Sequence, residues 1–519
     1  MPFSNKIETD RFKTYSLVVF LLLVLINSIN SLIGYHPDQH YQIIEFANFK
    51  LGRIEASEVA WEYHYQERQG LQPFLIYVYL KVLYALGISD PVKLTQILRV
   101  ITGLFFTFCL TRFINSTLHL FKPAFQKAYI ASSYFFWFIP CYYVHFASET
   151  FAQSLMLLGC AFLLSDRNTQ GQLVLIGLLF GLAFFARFQS AITSAILLTG
   201  FVWTRQLKWQ DCLYLSGGIG LGLSIGVLTD VWLYEDWIFT PYRYLDFQLF
   251  KGVVNAFGVS PWYYYLTLLL TSSTLLFGIL TYLGLAGSML NRKSFFLSIS
   301  VLGTIGVLSI IGHKEWRFLL QVLAFFPFLI VYGLQEFSYH FPPLRKVLFF
   351  KPFVALLVLL NLALLTYHSL MNSGILSIQG EALMGAVNRN YFNKPARLFY
   401  TQIEYHPYMI RGYDPGAVEN PFDQTKIRKW FYQPPRLSDQ VITDLSCPSL
   451  YADYGDSVRL LYINKAVFLA DNARDNLLNQ GYQLKAATLP LFVDKFIPEQ
   501  GNPWVDRLNQ RIIYLFEKK

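Results

Sequence analysis

The chain has 519 residues, of which 54% are apolar, 18% aromatic and only 14% charged, with a formal net charge of +9. Soluble domains carry charged residues near 25%, so this composition and a mean hydropathy of +0.36 exclude an ordinary soluble protein and describe a polytopic α-helical membrane protein. The positive balance implies no nucleic acid, because lysines and arginines at cytoplasmic loops and lipid headgroups account for it.

Residues 1–14 are polar and carry Lys6, Arg11 and Lys13, and residues 16–33 form a run long enough to span a bilayer. Together they predict an uncleaved first helix that starts in the cytoplasm. A cleaved signal would have a shorter core and small residues where Asn30-Ser31-Leu32-Ile33 stands. His36, Asp38, His40 and Glu45 then emerge where that helix ends. If the residues after Pro37 are helical, Asp38, Gln42 and Glu45 share one face at i, i+4 and i+7. A carboxylate so placed is either a general base, partly desolvated yet reachable, or a helix N-cap in a solvated loop.

The interval 34–72 is polar, and the apolar run 73–87 is short for a span. Longer runs follow at 97–120, 128–147, 149–165, 171–187, 189–204, 211–235, 262–290, 294–312, 317–336 and 348–371. Arg292-Lys293 and the loop with Arg345, Lys346 and Lys351 are the natural cytoplasmic loops, and counting from them agrees with a cytoplasmic N-terminus only if 73–87 does not cross. That segment is therefore expected to be a juxtamembrane or re-entrant helix. The expectation is about eleven transmembrane helices, with residues 1–371 as the transmembrane domain. The loop 34–96 and a soluble domain at 372–519 then share the non-cytoplasmic side. Short β-like runs at 460–462, 466–469 and 512–515 among helical stretches make that domain a small α/β fold.

Cys109, Cys141, Cys160 and Cys212 lie in apolar runs and only Cys447 in a polar one. With no CxxC or Cys/His spacing, neither a disulfide framework nor a zinc site is expected. No Walker, GxGxxG or HExxH motif occurs.

The second polar cluster is His313-Lys314-Glu315-Trp316-Arg317-Phe318, between two apolar runs. On a helix His313, Lys314 and Arg317 converge. Such cations either bind a phosphate diester, Arg317 in two-pronged fashion, or snorkel to headgroups as anchors. Arg187, between two runs on the same side, carries the same two readings. Aromatics crowd Trp61-Glu62-Tyr63, residues 237–244 and residues 262–265, as either an interfacial belt or a sugar-binding surface would require. Apart from Asp230 near one helix end, the runs carry no paired charges near their middles, which favours chemistry at one membrane face over translocation. A lipid-linked-saccharide flippase or other transporter is the alternative.

His36-Pro37-Asp38, Trp61-Glu62-Tyr63, Arg68 with Pro73, Thr240-Pro241 before Phe247, Pro261-Trp262-Tyr263 and His313-Lys314-Glu315 with Arg317-Phe318 come in one order. That order resembles the lipid-phosphate-mannose-dependent mannosyltransferases of the GPI anchor and of the lumenal N-glycan arms, over about residues 30 to 335. Where that pattern has Glu after His-Pro-Asp, this chain has Gln39. The resemblance implies a GT-C fold and inverting transfer of mannose, or another sugar, from a polyprenyl-phosphate donor to a glycan or glycolipid hydroxyl on the lumenal or periplasmic side. It implies Asp38 as base, Lys314 and Arg317 as donor-phosphate ligands with His313 and Arg187 beside them, and Glu45, Glu62, Arg68 and Trp61 as acceptor- or loop-positioning groups. The donor is a substrate, no cofactor is expected, and the metal requirement stays open. The expected setting is a bacterial inner membrane or the endoplasmic reticulum membrane.

Overall fold

Apolar stretches that read as continuous in the sequence break where proline, serine and threonine interrupt the helical ladder. The computed structural model describes residues 2–30, 37–56, 59–165, 168–371, 387, 395–400, 409–411, 427–429, 437–441, 450, 452, 457–469, 473–487 and 513–518. The chain divides into two compact units, one of Met1–Ser28, His36–Lys81 and Leu98–Ser369, the other of Ile29–Tyr35, Val82–Ile97 and Leu370–Lys519.

The main helices are α1 (Pro2–Asn30), α2 (Leu71–Ala85), α3 (Pro91–Thr117), α4 (Pro123–Phe135), α5 (Ser148–Leu163), α6 (Gln170–Ala186), α7 (Ser190–Arg205) and α8 (Trp209–Tyr234). After them come α9 (Tyr264–Thr271), α10 (Leu275–Ser288), α11 (Arg292–Ile310), α12 (Phe326–His340) and α13 (Lys351–Met371). Among the described residues five stretches, within α1, α3 with its extension, α8, α11 and α13, are long and apolar enough to cross a membrane. Two bent pairs pass the same test together. α9 and α10 meet at 119°, and the turn Trp316–Leu323 meets α12 at 68°.

Three expected continuous runs are broken in the structure. The run 262–290 breaks at Ser272-Ser273-Thr274, where the Thr274 hydroxyl accepts from the Phe277 amide (3.4 Å) and starts α10. The run 317–336 breaks before Pro327 and the run 128–147 before Pro140, each in the first turn of a new helix where its missing N–H costs nothing. The short run 73–87 is the 15-residue helix α2.

α6 and α8 carry facing small-residue pairs, Gly177 with Gly181 and Gly218 with Gly222. A Cβ on Gly177 would collide with the Leu215 carbonyl, and one on Gly218 with that of Val174. Backbones this close are what a GxxxG pair permits between apolar helices. Near the end of α8, buried Asp230 accepts from the Gly70 amide (2.7 Å) and the Thr240 hydroxyl (2.5 Å). This bond pins the loop before α2 and the Thr240-Pro241 turn to one helix end.

In the second unit a five-stranded sheet has the order β4-β1-β5-β7-β6. β1 (Ala396–Tyr400) pairs in parallel with β4 (Leu437–Val441) and β5 (Val458–Asn464). β7 (Ile513–Lys518) pairs antiparallel with β5 and β6 (Gln483–Ala487), and β2 (Met409–Arg411) with β3 (Ile427–Lys429) forms a separate ribbon. Residues 466–469, expected as β-like, lie in helix α14 (Lys465–Leu469), which precedes α15 (Ala473–Asn479). There Phe468 packs on Tyr514 and Phe516 of β7. Residues 460–462 and 513–515 are strand, and residue 512 lies outside the described residues.

Candidate functional site

Four helix ends within the first unit converge on one ionic network. α5 begins at Ser148-Glu149, α6 ends at Arg187, α11 ends just before His313, and a 3₁₀ turn, Trp316–Leu319, carries Arg317. Arg317 is buried and donates to Asp38 Oδ2 (2.6 Å) and to Glu315 through Nε (2.5 Å) and Nη2 (3.1 Å). Its Nη1 stands 3.9 Å from Glu149 Oε1, which also lies 3.4 Å from Arg187. Phe318 lies beneath both guanidiniums, its ring centre 5.0 Å from Arg187 and 5.3 Å from Arg317.

His313 joins through Glu315, with Nε2 at 2.9 Å from Oε1, while Nδ1 is 3.2 Å from the Gly258 carbonyl. Both ring nitrogens therefore face acceptors, and both can donate only as the imidazolium. The hydrogen bond to Glu315 raises the His313 pKa above its ordinary value in the same sense. Two guanidiniums, Arg317 and Arg187, and the His313 ring thus interleave with three carboxylates, Asp38, Glu149 and Glu315.

A second cluster adjoins this one. Arg68 lies 3.7 Å from Glu62 and 3.8 Å from Glu67, with Tyr244 under its guanidinium at 5.6 Å. Gln42 donates to Glu62 (2.9 Å) and Gln248 to both oxygens of Glu67 (2.8 Å). Burial pushes the Glu62 carboxyl up to about 7, Arg68 opposing and the nearby negative charge of Asp38 adding to it. Burial likewise raises Glu67. Asp38 therefore stands between an arginine that holds it and a carboxyl that feels its charge. Trp61 stacks on Phe257 (6.2 Å, 19°), which in turn meets the His313 ring at 5.8 Å.

Two expected members fall outside the network. The residues before Trp316 are not helical, so Lys314 does not converge with Arg317. Its ammonium donates to the carbonyls of Ile311 (2.5 Å), Ser260 (2.8 Å) and Gly312 (3.3 Å). Glu45 does not share a face with Asp38 at α-helical spacing, because His40–Ile44 form a π-turn. That five-residue turn sets Glu45 against His40 (3.0 Å), both buried. His36 lies outside the described residues.

Sequence reasoning passed over Glu149, the bridge between Arg187 and Arg317. A lone carboxylate opening an apolar helix on the same side as Arg187 was the signal available. Glu315 stood inside the motif with no role of its own. No cluster of three or more metal-ligating side chains occurs among the described residues.

An apolar cavity of about 290 Å³ is lined by Phe136, Tyr142, Leu268, Phe326 and by Trp316 and Leu319 of the turn that carries Arg317, among others. GPI alpha-1,2-mannosyltransferase 3 of Danio rerio is 26% identical over 327 residues, 62% of this chain and 60% of that protein. GPI mannosyltransferase 4 of Candida glabrata is 26% identical over 316 residues, 57% of this chain and 61% of that one. The chain thus spans about three fifths of the length of these relatives. The crystal structure of ArnT from Cupriavidus metallidurans bound to undecaprenyl phosphate aligns over 97% of both chains at 13% identity, with a TM-score of 0.46. The model of the Alg9-like mannosyltransferase family matches residues 15–405, and the chain belongs to that family.

Proposed function

We propose that this chain transfers mannose, with inversion, from a polyprenyl-phosphate-linked donor to a hydroxyl of a glycan or glycolipid, a GPI-type glycolipid being the acceptor class its relatives' names suggest. The single observation that carries the reading is the 2.6 Å contact between Arg317 and Asp38, which brings a cation and a carboxylate from distant parts of the sequence to one point.

In the resting state Arg317 holds Asp38. A donor phosphate arriving at Arg317, with imidazolium His313 and Arg187 close by, competes for that guanidinium and loosens its hold. Asp38 then accepts the proton of the acceptor hydroxyl as its oxygen attacks the sugar C1. The C1–O bond to phosphate breaks, and polyprenyl phosphate leaves with the bonding pair. A phosphate is a stable leaving anion, so the step needs a base and charge stabilisation but no general acid. The cavity beside Trp316 and Leu319 suits the first isoprene units of the donor tail.

Glu62, Arg68 and Trp61 line the approach next to Asp38 and position the acceptor. Glu45 supports the turn through His40, and Lys314 fastens the Ser260–Gly312 loop beneath the donor. The site end of the bundle lies opposite the ends bearing Arg205, Arg292 and Lys293, which by the positive-inside rule puts it on the lumenal or periplasmic face. The GT-C architecture with about eleven spans and the endoplasmic reticulum membrane belong to the same reading.

The test is sugar transfer by the purified chain from polyprenyl-phosphate-mannose to a mannosylated glycolipid, followed by mass spectrometry. Donor-dependent product that disappears in D38N, with the melting curve intact, is expected. Unimpaired transfer by D38N removes Asp38 from the reaction, and transfer only from another lipid-phosphate sugar replaces mannose.

A further inference from the structure

We infer that the chain carries a second binding site, for an anionic glycerophospholipid, at the end of the bundle opposite Asp38 and Arg317. A cavity of about 1000 Å³ opens there between the last turns of α3, α5 and α7 and the first turn of α11, with Phe328 of α12 on one wall. Helix direction fixes its place. α5 and α7 begin beside Glu149 and Arg187 and end at this cavity, whereas α11 begins at it and ends beside His313. At about 1.5 Å per residue the 16 residues of α7 and 19 of α11 separate the two ends by roughly 24 to 28 Å, close to the hydrocarbon thickness of a bilayer.

The cavity is chemically divided. Its inner wall is apolar, with Phe113, Cys160, Leu163 and Phe328 all buried. Its mouth holds Arg205, Arg292 and Lys293, all exposed, and among the described residues no carboxylate lines it. Arg292 and Lys293 form no ion pair among the described residues. The carboxylate nearby, Glu336, is held by the Asn291 amide at 3.2 Å. Arg205 donates to the Ser165 carbonyl (2.8 Å). Trp203, 77% exposed, stands at the same level, where an interfacial indole belongs.

A space of this size with apolar walls takes up hydrocarbon rather than water. Arg292 and Lys293 on the rim select an anionic head, and a guanidinium matches two phosphate oxygens in two-pronged geometry. Joined, the two demands describe a phospholipid of the adjoining leaflet with its phosphate on the rim and an acyl chain inside.

Cations at a membrane face also bind headgroups loosely wherever they stand, and Lys208 separates that general effect from a built site. It is equally exposed at the same end of the bundle, outside the cavity lining. The full-length chain, purified in a neutral detergent, is titrated with palmitoyl-oleoyl phosphatidylglycerol or the matching phosphatidylcholine, and adducts are read by native mass spectrometry. One phosphatidylglycerol per chain is expected, held about tenfold more tightly than phosphatidylcholine. The double variant R292Q/K293Q loses that preference and K208Q retains it. Equal retention of the two lipids by the wild-type chain overturns the proposal, as does an equal loss in K208Q. Displacement of the lipid by inorganic phosphate at matching concentration also overturns it and leaves a plain anion site. The wild-type comparison stands even if the double variant does not fold, and binding is read without reference to sugar transfer.

Discussion

Arg317 donates to Asp38 at 2.6 Å while its remaining edges are held by Glu315 and faced by Glu149. One guanidinium therefore orients the carboxylate assigned as base and remains the strongest cation at the same place. D38N is expected to lower turnover by about a hundredfold or more, the usual contribution of a general base. R317K keeps the charge but cannot span Glu315 and Asp38 together, so it is expected to raise the donor KM and lower kcat. Steady-state kinetics of both variants, with donor and acceptor varied separately, decide this. Wild-type kinetics in R317K remove the arginine from the donor site.

Lys314 separates a structural from a donor-binding role. Its ammonium is committed to three backbone carbonyls, so Lys314→Met is expected to cost about 1.5 to 3 kcal/mol of stability, the scale of a hydrogen bond to a charged group. The donor KM of the folded fraction should stay within about twofold, too small a change for a lost phosphate contact. A rise of tenfold at unchanged melting temperature would restore Lys314 as a phosphate ligand.

Glu62 and His313 give stability a definite slope against pH. The Glu62 value of about 7 in the folded chain lies above its ordinary 4.5. Ionising it costs nothing below about 4.5, costs progressively more as pH rises towards 7, and costs in full above that. His313, raised by Glu315, contributes stability that is complete below its ordinary value of 6.5 and is lost as pH rises through the higher folded value. The melting midpoint should therefore fall as pH rises from about 4.5 towards 7 through Glu62, and further as His313 loses its proton above 6.5. Glu62→Gln should flatten the lower part of the fall, and His313→Gln the upper part. An E62Q curve parallel to wild type would show that Glu62 is charged throughout.

The crossing of α6 and α8 leaves no room at its glycines. Gly218→Leu would drive a side chain into the Val174 carbonyl, and the expected result is a large loss of monodisperse protein in size-exclusion chromatography. Gly220→Leu, at a glycine on α8 with open space around it, should be tolerated. Equal yields for the two would mean that the α6–α8 crossing tolerates a side chain at Gly218.

Much of the site could be read from residue order. Asp38, Arg317, His313 and Arg187 share one network, and Trp61, Glu62 and Arg68 stand next to it. The misses have physical causes. Lys314 was placed by assuming helical spacing through 313–317, but the helix ends at Ile310 and backbone carbonyls capture the ammonium. Glu45 was displaced by a π-turn, which leaves no mark in hydrophobic periodicity. Glu149 carried no local motif, and only tertiary proximity to two arginines gives it a role. Hydropathy located the apolar runs but not their bends, because a broken span and a straight one have the same mean.

The π-turn at His40–Ile44 has one more implication. It accommodates one residue beyond what an α-helical turn would hold, so the peptide leading to Asp38 is wound relative to the segment carrying Glu45. Deleting Tyr41 would let this stretch relax to ordinary winding and swing the aspartate around the axis by about 100°. The carboxylate would then face away from Arg317 with every side chain of the motif still present. A scan of single-residue deletions along 39–44 should be far more damaging than alanine substitutions at the same positions.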